Sequence, residues 1–150
     1  MIPRPLVTPR RSLAAILFAG LVIALAAGSV LTALSEQGKT VNDGVYTDAQ
    51  AGRGQALFGQ QCVQCHGADL TGAGGPALVG KDFLGAWGGM SLGDLVEKIA
   101  TSMPSGAPGS ISRIQSVDLV AFILKSNSFP AGSAELDSDA ATLKGISIVK

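Results

Sequence analysis

Five consecutive residues, Cys62-Val63-Gln64-Cys65-His66, hold both cysteines and the single histidine of the chain. Two thiols three positions apart, with an imidazole immediately after, form the attachment signature of a c-type haem. The spacing has a mechanical reason. On one short helical turn both sulfurs reach the two vinyl groups of a single porphyrin edge, and the next residue projects its imidazole under the ring, toward iron. Other uses of the motif fit less well. A structural zinc needs four Cys or His ligands, and only three are present. A thioredoxin-like dithiol follows a strand in a βαβ pattern, whereas residues 49–61 read as a helix. A plain disulfide across two intervening residues is the remaining thiol reading.

The rest of the chain must therefore supply a wrapping for one flat cofactor. Its 150 residues allow one small domain and an appendage. The formal net charge is zero, but the placement is uneven: Arg4, Arg10 and Arg11 precede an apolar run, and the remainder is net acidic. No basic patch points to nucleic acid. Residues 13–34 carry no charge; as a helix of about 1.5 Å rise per residue they would span about 33 Å, matching a hydrocarbon core of roughly 30 Å. The flanking arginines put the N-terminus in the cytoplasm and the residues beyond the run across the membrane. Ala24-Leu25-Ala26 resembles a signal-peptidase site, so a cleaved export signal is the alternative to a retained anchor. The expected organisation is a cytoplasmic stub and transmembrane anchor over 1–34, a polar linker over 35–46, and the haem domain over 47–150. The expected location is the inner membrane, with the haem domain facing the periplasm.

Within the domain, Thr47 with Gln50 has capping-box form and opens a helix toward Cys62, with Ala51, Gly54, Phe58 and Gln61 or Cys62 on one face. Residues 67–93 are rich in glycine and read as a loop that gains its order from the porphyrin. A second helix is expected over 91–102, capped by Ser91 with Asp94 at N3 and burying Leu92, Leu95, Val96 and Ile99. A third opens at Ser112 with Gln115 at N3 and runs to about Ser126, with Ile114, Val117, Val120, Ala121 and Leu124 inward. No strand pattern stands out. In the tail, residues 140–143 suit one helical turn, with Ile146, Ile148 and Val149 available to pack back.

The second axial position decides between electron transfer and ligand chemistry. Met103 follows the second helix and precedes Pro104, which biases it toward extended backbone and lets its thioether point from the loop. Met90, just before that helix, is the alternative.

From Asp43 to Ile146 the chain resembles the class I (mitochondrial-type) monohaem cytochromes c, in their bacterial membrane-tethered branch. The matching stretches are residues 43–47 (DGVYT), the haem motif, Gly75-Pro76-Ala77-Leu78, Met103-Pro104 with Gly106-Ala107-Pro108-Gly109, and 118–124. The resemblance implies an all-α fold: three main helices around one covalent haem c, here preceded by one transmembrane helix. It implies Cys62 and Cys65 as thioether anchors, His66 and Met103 as iron ligands, and Pro76 as the carbonyl partner of His66. It also implies Trp87 beside the propionates, and Gly54 and Phe58 crossing the last main helix against Phe122. The lysine-rich docking ring of the mitochondrial proteins is absent. The expected function is a periplasmic, membrane-anchored electron carrier. Its redox partners would be a terminal oxidase, a quinol-oxidising complex or a periplasmic dehydrogenase. The alternatives are a fixed haem subunit of a larger oxidoreductase and a haem-based ligand sensor. With no second histidine or third cysteine, nothing resembles a catalytic nucleophile or base.

Overall fold

Hydroxyl caps start the main helices. Thr47, Ser91 and Ser112 each accept a hydrogen bond from the backbone N–H three residues on, satisfying a donor that the first turn leaves without an intrahelical partner. The computed structural model describes residues 38–149. It contains α1 (Asp48–Gln61), α2 (Val63–His66), α3 (Gly80–Trp87), α4 (Leu92–Ser102), α5 (Arg113–Ser126) and α6 (Ala140–Lys144). Two-residue strands, β1 (Lys39–Thr40) and β2 (Ile146–Ser147), pair in parallel. The three expected main helices are α1, α4 and α5. The expected anchor at 1–34 lies outside the described residues; among those described, no helix is long and apolar enough to cross a membrane.

α1 packs most extensively on α5. The crossing is close because Gly54 has no side chain: a Cβ there would collide with the Asp118 carbonyl. One turn on, Phe58 meets Phe122 with ring centroids 5.3 Å apart and planes tilted by 54°, an arrangement favoured by the ring quadrupoles. α4 packs on α5 and α6, burying Leu92, Leu95, Val96 and Ile99 as its 3.6-residue period requires. On α5, Val117, Val120, Ala121 and Leu124 are buried, but Ile114 is 67% exposed and does not join the inward face expected for it. It lies in the first turn of α5.

Three further expectations are corrected. The linker expected over 35–46 is shorter, because Val41 (0% exposed) and Tyr46 (1%) are core residues and the Tyr46 hydroxyl donates to the Phe129 carbonyl at 2.7 Å. Polar spacing hid two well-separated core anchors. The glycine-rich stretch is not all loop: Phe83, Leu84 and Trp87, spaced i, i+1 and i+4, turn inward on α3. Strands do occur, since β2 also takes up the segment before α4, with Gly89 N donating to Ile148 O at 2.7 Å and Ile148 N to Met90 O at 2.8 Å. Such pairing is non-local and leaves no period in four residues of sequence.

The tail is sewn to the helices. Gln50, 2% exposed, donates through Nε2 to Leu136 O at 3.0 Å and accepts from Leu136 N at 2.8 Å. Its side chain is thus diverted from the capping box expected with Thr47. Arg53 forks onto Asp118 and Glu135 with four contacts of 2.9–3.0 Å. Leu136, Leu143, Ile146 and Ile148 of the tail are buried, each contributing about 1.5–3 kcal/mol.

Candidate haem site

Cys62 ends α1 and begins α2: its N–H donates to Phe58 O at 2.9 Å, while its carbonyl accepts from Cys65 N at 3.2 Å and His66 N at 3.0 Å. One turn of helix therefore carries both thiols. Cys62 is half-buried and Cys65 exposed, and both are free. Burial, with a smaller contribution from Cys65, pushes the Cys62 thiol up. It is not the thiolate-poised cysteine of a redox dithiol.

The chain after the motif curls back to hold the imidazole. Ala73 N and Gly75 N donate to Cys65 O at 3.0 and 2.7 Å, and Gly72 N donates to His66 O at 2.9 Å. This delivers the Pro76 carbonyl to 2.8 Å from His66 Nδ1. A carbonyl only accepts, so Nδ1 carries the proton and Nε2 keeps a lone pair for a metal. Gly75 is the residue that permits the approach: a Cβ would stand 3.1 Å from His66 Cε1 and 3.3 Å from Nδ1. Further along, Asn127 at the end of α5 accepts from Gly80 N and donates to Leu78 O, both at 2.9 Å, closing the loop onto the helical frame.

Above this turn lies a cavity of about 100 Å³. Cys62, His66, Pro76, Trp87 and Met103 all line it, with Leu95 and Ile99 of α4 supplying apolar wall. Cys65 lines an adjoining open groove that it shares with Cys62, His66 and Met103. The six residues singled out from the sequence are thus brought to one place. Met103 directly follows α4 with extended backbone (φ −121°, ψ 149°). Met90 lines neither cavity nor groove and is 41% exposed. Sequence reasoning missed Lys98, the charged side chain in the cavity wall, and Asn127. A basic residue on α4 shortly before Met103 is a signal for the first. The second bonds partners 47 and 49 residues away, which no local pattern reports.

The donor set can be tested against the cofactor the motif implies. An apolar slot, two thiols on one lip, one imidazole lone pair and one thioether suit a flat macrocycle carrying iron. The model of the family described as "Cytochrome C oxidase, cbb3-type, subunit III" matches residues 49–123, half of the chain. The chain belongs to the class I cytochrome c family. This cytochrome carries one covalently bound haem c with its iron. It is 35% identical over 63 residues to cytochrome c-551 of Bacillus subtilis, a match covering 42% of the chain and 54% of that relative. The chain thus spans about half the length of the curated relative. Among solved structures it is similar to the sulfane dehydrogenase SoxCD from Paracoccus pantotrophus, with a TM-score of 0.42 and 23% identity over 66% of this chain and 54% of that one.

Proposed function

We propose that this cytochrome is a membrane-anchored periplasmic carrier of single electrons in which His66 and Met103 would hold the haem iron. The observation that carries the ligand assignment is the lining of one apolar cavity by both side chains, one from α2 and one from the end of α4, with Met90 outside it. Cys62 and Cys65 hold the porphyrin by its edge. Pro76 fixes the ring of His66 through the Nδ1 proton. Trp87 closes the propionate end. When bound, haem c supplies the exchange of one electron between ferrous and ferric iron. The residues around it contribute ligand identity and a low-dielectric wall, which with a thioether ligand raise the potential. The anchor and the periplasmic side rest on the uncharged run 13–34 and the arginines before it.

Met103→Ala is the direct test. It is expected to abolish the weak red absorption of an iron–thioether bond, lower the midpoint potential and open the ferrous protein to carbon monoxide, while Met90→Ala does none of these. The reverse result transfers the role to Met90. Rapid binding of carbon monoxide by the unaltered ferrous protein near neutral pH would instead favour a ligand sensor. A second reading, a fixed haem subunit, is favoured by the description of the matching family, which is itself a subunit. Haem staining after native electrophoresis of solubilised membranes separates the two: a carrier migrates alone, a subunit with its complex.

A further inference from the structure

Where the site opens beside the two cysteines, its rim is uncharged. The groove beside the two cysteines has Gln61, Gln64 and Cys65 on one lip and Pro104, Ser105 and Gly106 on the other, and all but Pro104 are exposed. The neutrality runs well beyond these residues, since no Asp, Glu, Lys or Arg occurs at 54–68, 70–80 or 99–112. Asp69, the carboxylate between two of those stretches, is folded onto its own turn, accepting from Thr71 N at 3.1 Å and Thr71 Oγ1 at 2.8 Å. The ion pairs Arg53–Asp118, Arg53–Glu135, Lys125–Asp48 and Arg113–Glu97 all lie outside the groove. Lys98 is exposed and lines the adjoining cavity but not the groove.

Tight wrapping of a porphyrin asks for small residues, not for neutral ones. Gln60, Gln61 and Gln64 are long and exposed, and Lys or Glu would serve the helix equally well at those positions. What their neutrality changes is the surface a partner meets. An electron leaving over the thioether edge requires the acceptor to cover this groove. A charged acceptor patch would be stripped of water there and find no counter-charge, which is costly, whereas an uncharged patch loses nothing.

We propose that this face docks a redox protein whose own cofactor-edge surface is uncharged, contact being made by glutamine amides and small residues instead of ion pairs. The proposal rests on the carrier reading. One electron passes from ferrous haem to the partner's cofactor. Encounter is not steered through space by charge, and the proposed tether compensates by keeping the domain at high local concentration.

The test follows oxidation of the haem-loaded, reduced full chain in a neutral detergent, with solubilised membranes of the native host as the probe. Between ionic strengths of about 10 mM and 1 M, over which the Debye length falls from about 30 Å to 3 Å, the second-order rate is expected to change less than about twofold. Gln64→Lys and Gln64→Glu are each expected to slow it by roughly threefold or more, because either charge is buried unpaired. Ser105→Lys and Ser105→Glu repeat the comparison from the other lip, and Asp137→Asn, outside the groove, leaves the rate unchanged. The unaltered haem spectrum reports that each site is intact. A steep salt dependence, opposite effects of the two charges, or no effect of any of the four overturns the neutral face while leaving the carrier reading standing. If the haem exchanges electrons with chemical reagents but with no membrane component at any ionic strength, the carrier reading falls, and this proposal with it.

Discussion

Around Cys62–His66 the chain is uncharged, glycine-rich and held by few side-chain hydrogen bonds, whereas α1, α5 and the tail are laced by Arg53, Gln50 and Tyr46 to partners more than sixty residues away. Both regions are polypeptide of similar length, but their order has different sources. At the back, protein packs on protein: a glycine crossing, a Phe pair and paired polar groups close the structure without help. At the front, the loop bonds mainly to its own motif and its apolar walls face a cavity. The contrast teaches that one half of this fold is specified by side chains and the other by a cofactor that the side chains are arranged to receive.

The strongest way to break that contrast is to remove attachment. The double substitution Cys62→Ser and Cys65→Ser is expected to give a colourless chain in which amide exchange accelerates at 67–80 and 103–112 far more than in α1 and α5. Uniform loss of protection would show that the back also depends on haem. Next in size is Gly54→Val, which forces a side chain into the Asp118 carbonyl. A loss of about 3 kcal/mol or more is expected from denaturant unfolding of the holoprotein, and a loss below about 1 kcal/mol would mean that the crossing yields. Gln50→Ala leaves the N–H and carbonyl of buried Leu136 without their partner. The expected cost is about 1–3 kcal/mol, with exchange rising first at Leu136 and spectra of the haem unchanged.

Smallest per group is the effect of acid. Asp94 is held below the usual carboxylate range chiefly by the Ser91 hydroxyl, Asp43 and Asp139 chiefly by the backbone N–H groups of Thr40 and Thr142, and Glu135 by Arg53. With the folded-state values depressed, the unfolded chain binds more protons, so this stabilisation is complete above the ordinary carboxylate values and is lost as pH falls below them. In the clamp loop Asp69 alone is held down in this way, by the Thr71 hydroxyl and N–H, against Asp43, Glu135 and Asp139 near the tail, so melting followed from neutral pH to about pH 3 should loosen the back before the imidazole clamp. Stability that stays flat over this range would sever the carboxylates from the difference between the two regions.

Much of the site is legible in the residues themselves. Cysteine spacing, the adjoining histidine and a methionine before proline are local facts with local geometry, and all of those side chains reach one cavity and its adjoining groove. The caps Ser91 and Ser112 are equally readable, because a hydroxyl and its N3 partner sit within one turn. Less legible is whatever depends on a distant partner. Val41 and Tyr46 read as tether because their neighbours are polar, yet they complete a core built by the tail. Ile114 follows the period of α5 yet stays exposed.

From its residues alone the protein was committed to a covalent haem, since covalent chemistry asks only for two thiols and an imidazole in register along one turn. Tertiary structure decided which carbonyl locks that imidazole, where the domain begins, how Gln50 and Arg53 secure the tail, and that the open lip of the site carries no charge. Those outcomes depend on which distant segments share a surface, and that is set by packing across the whole chain.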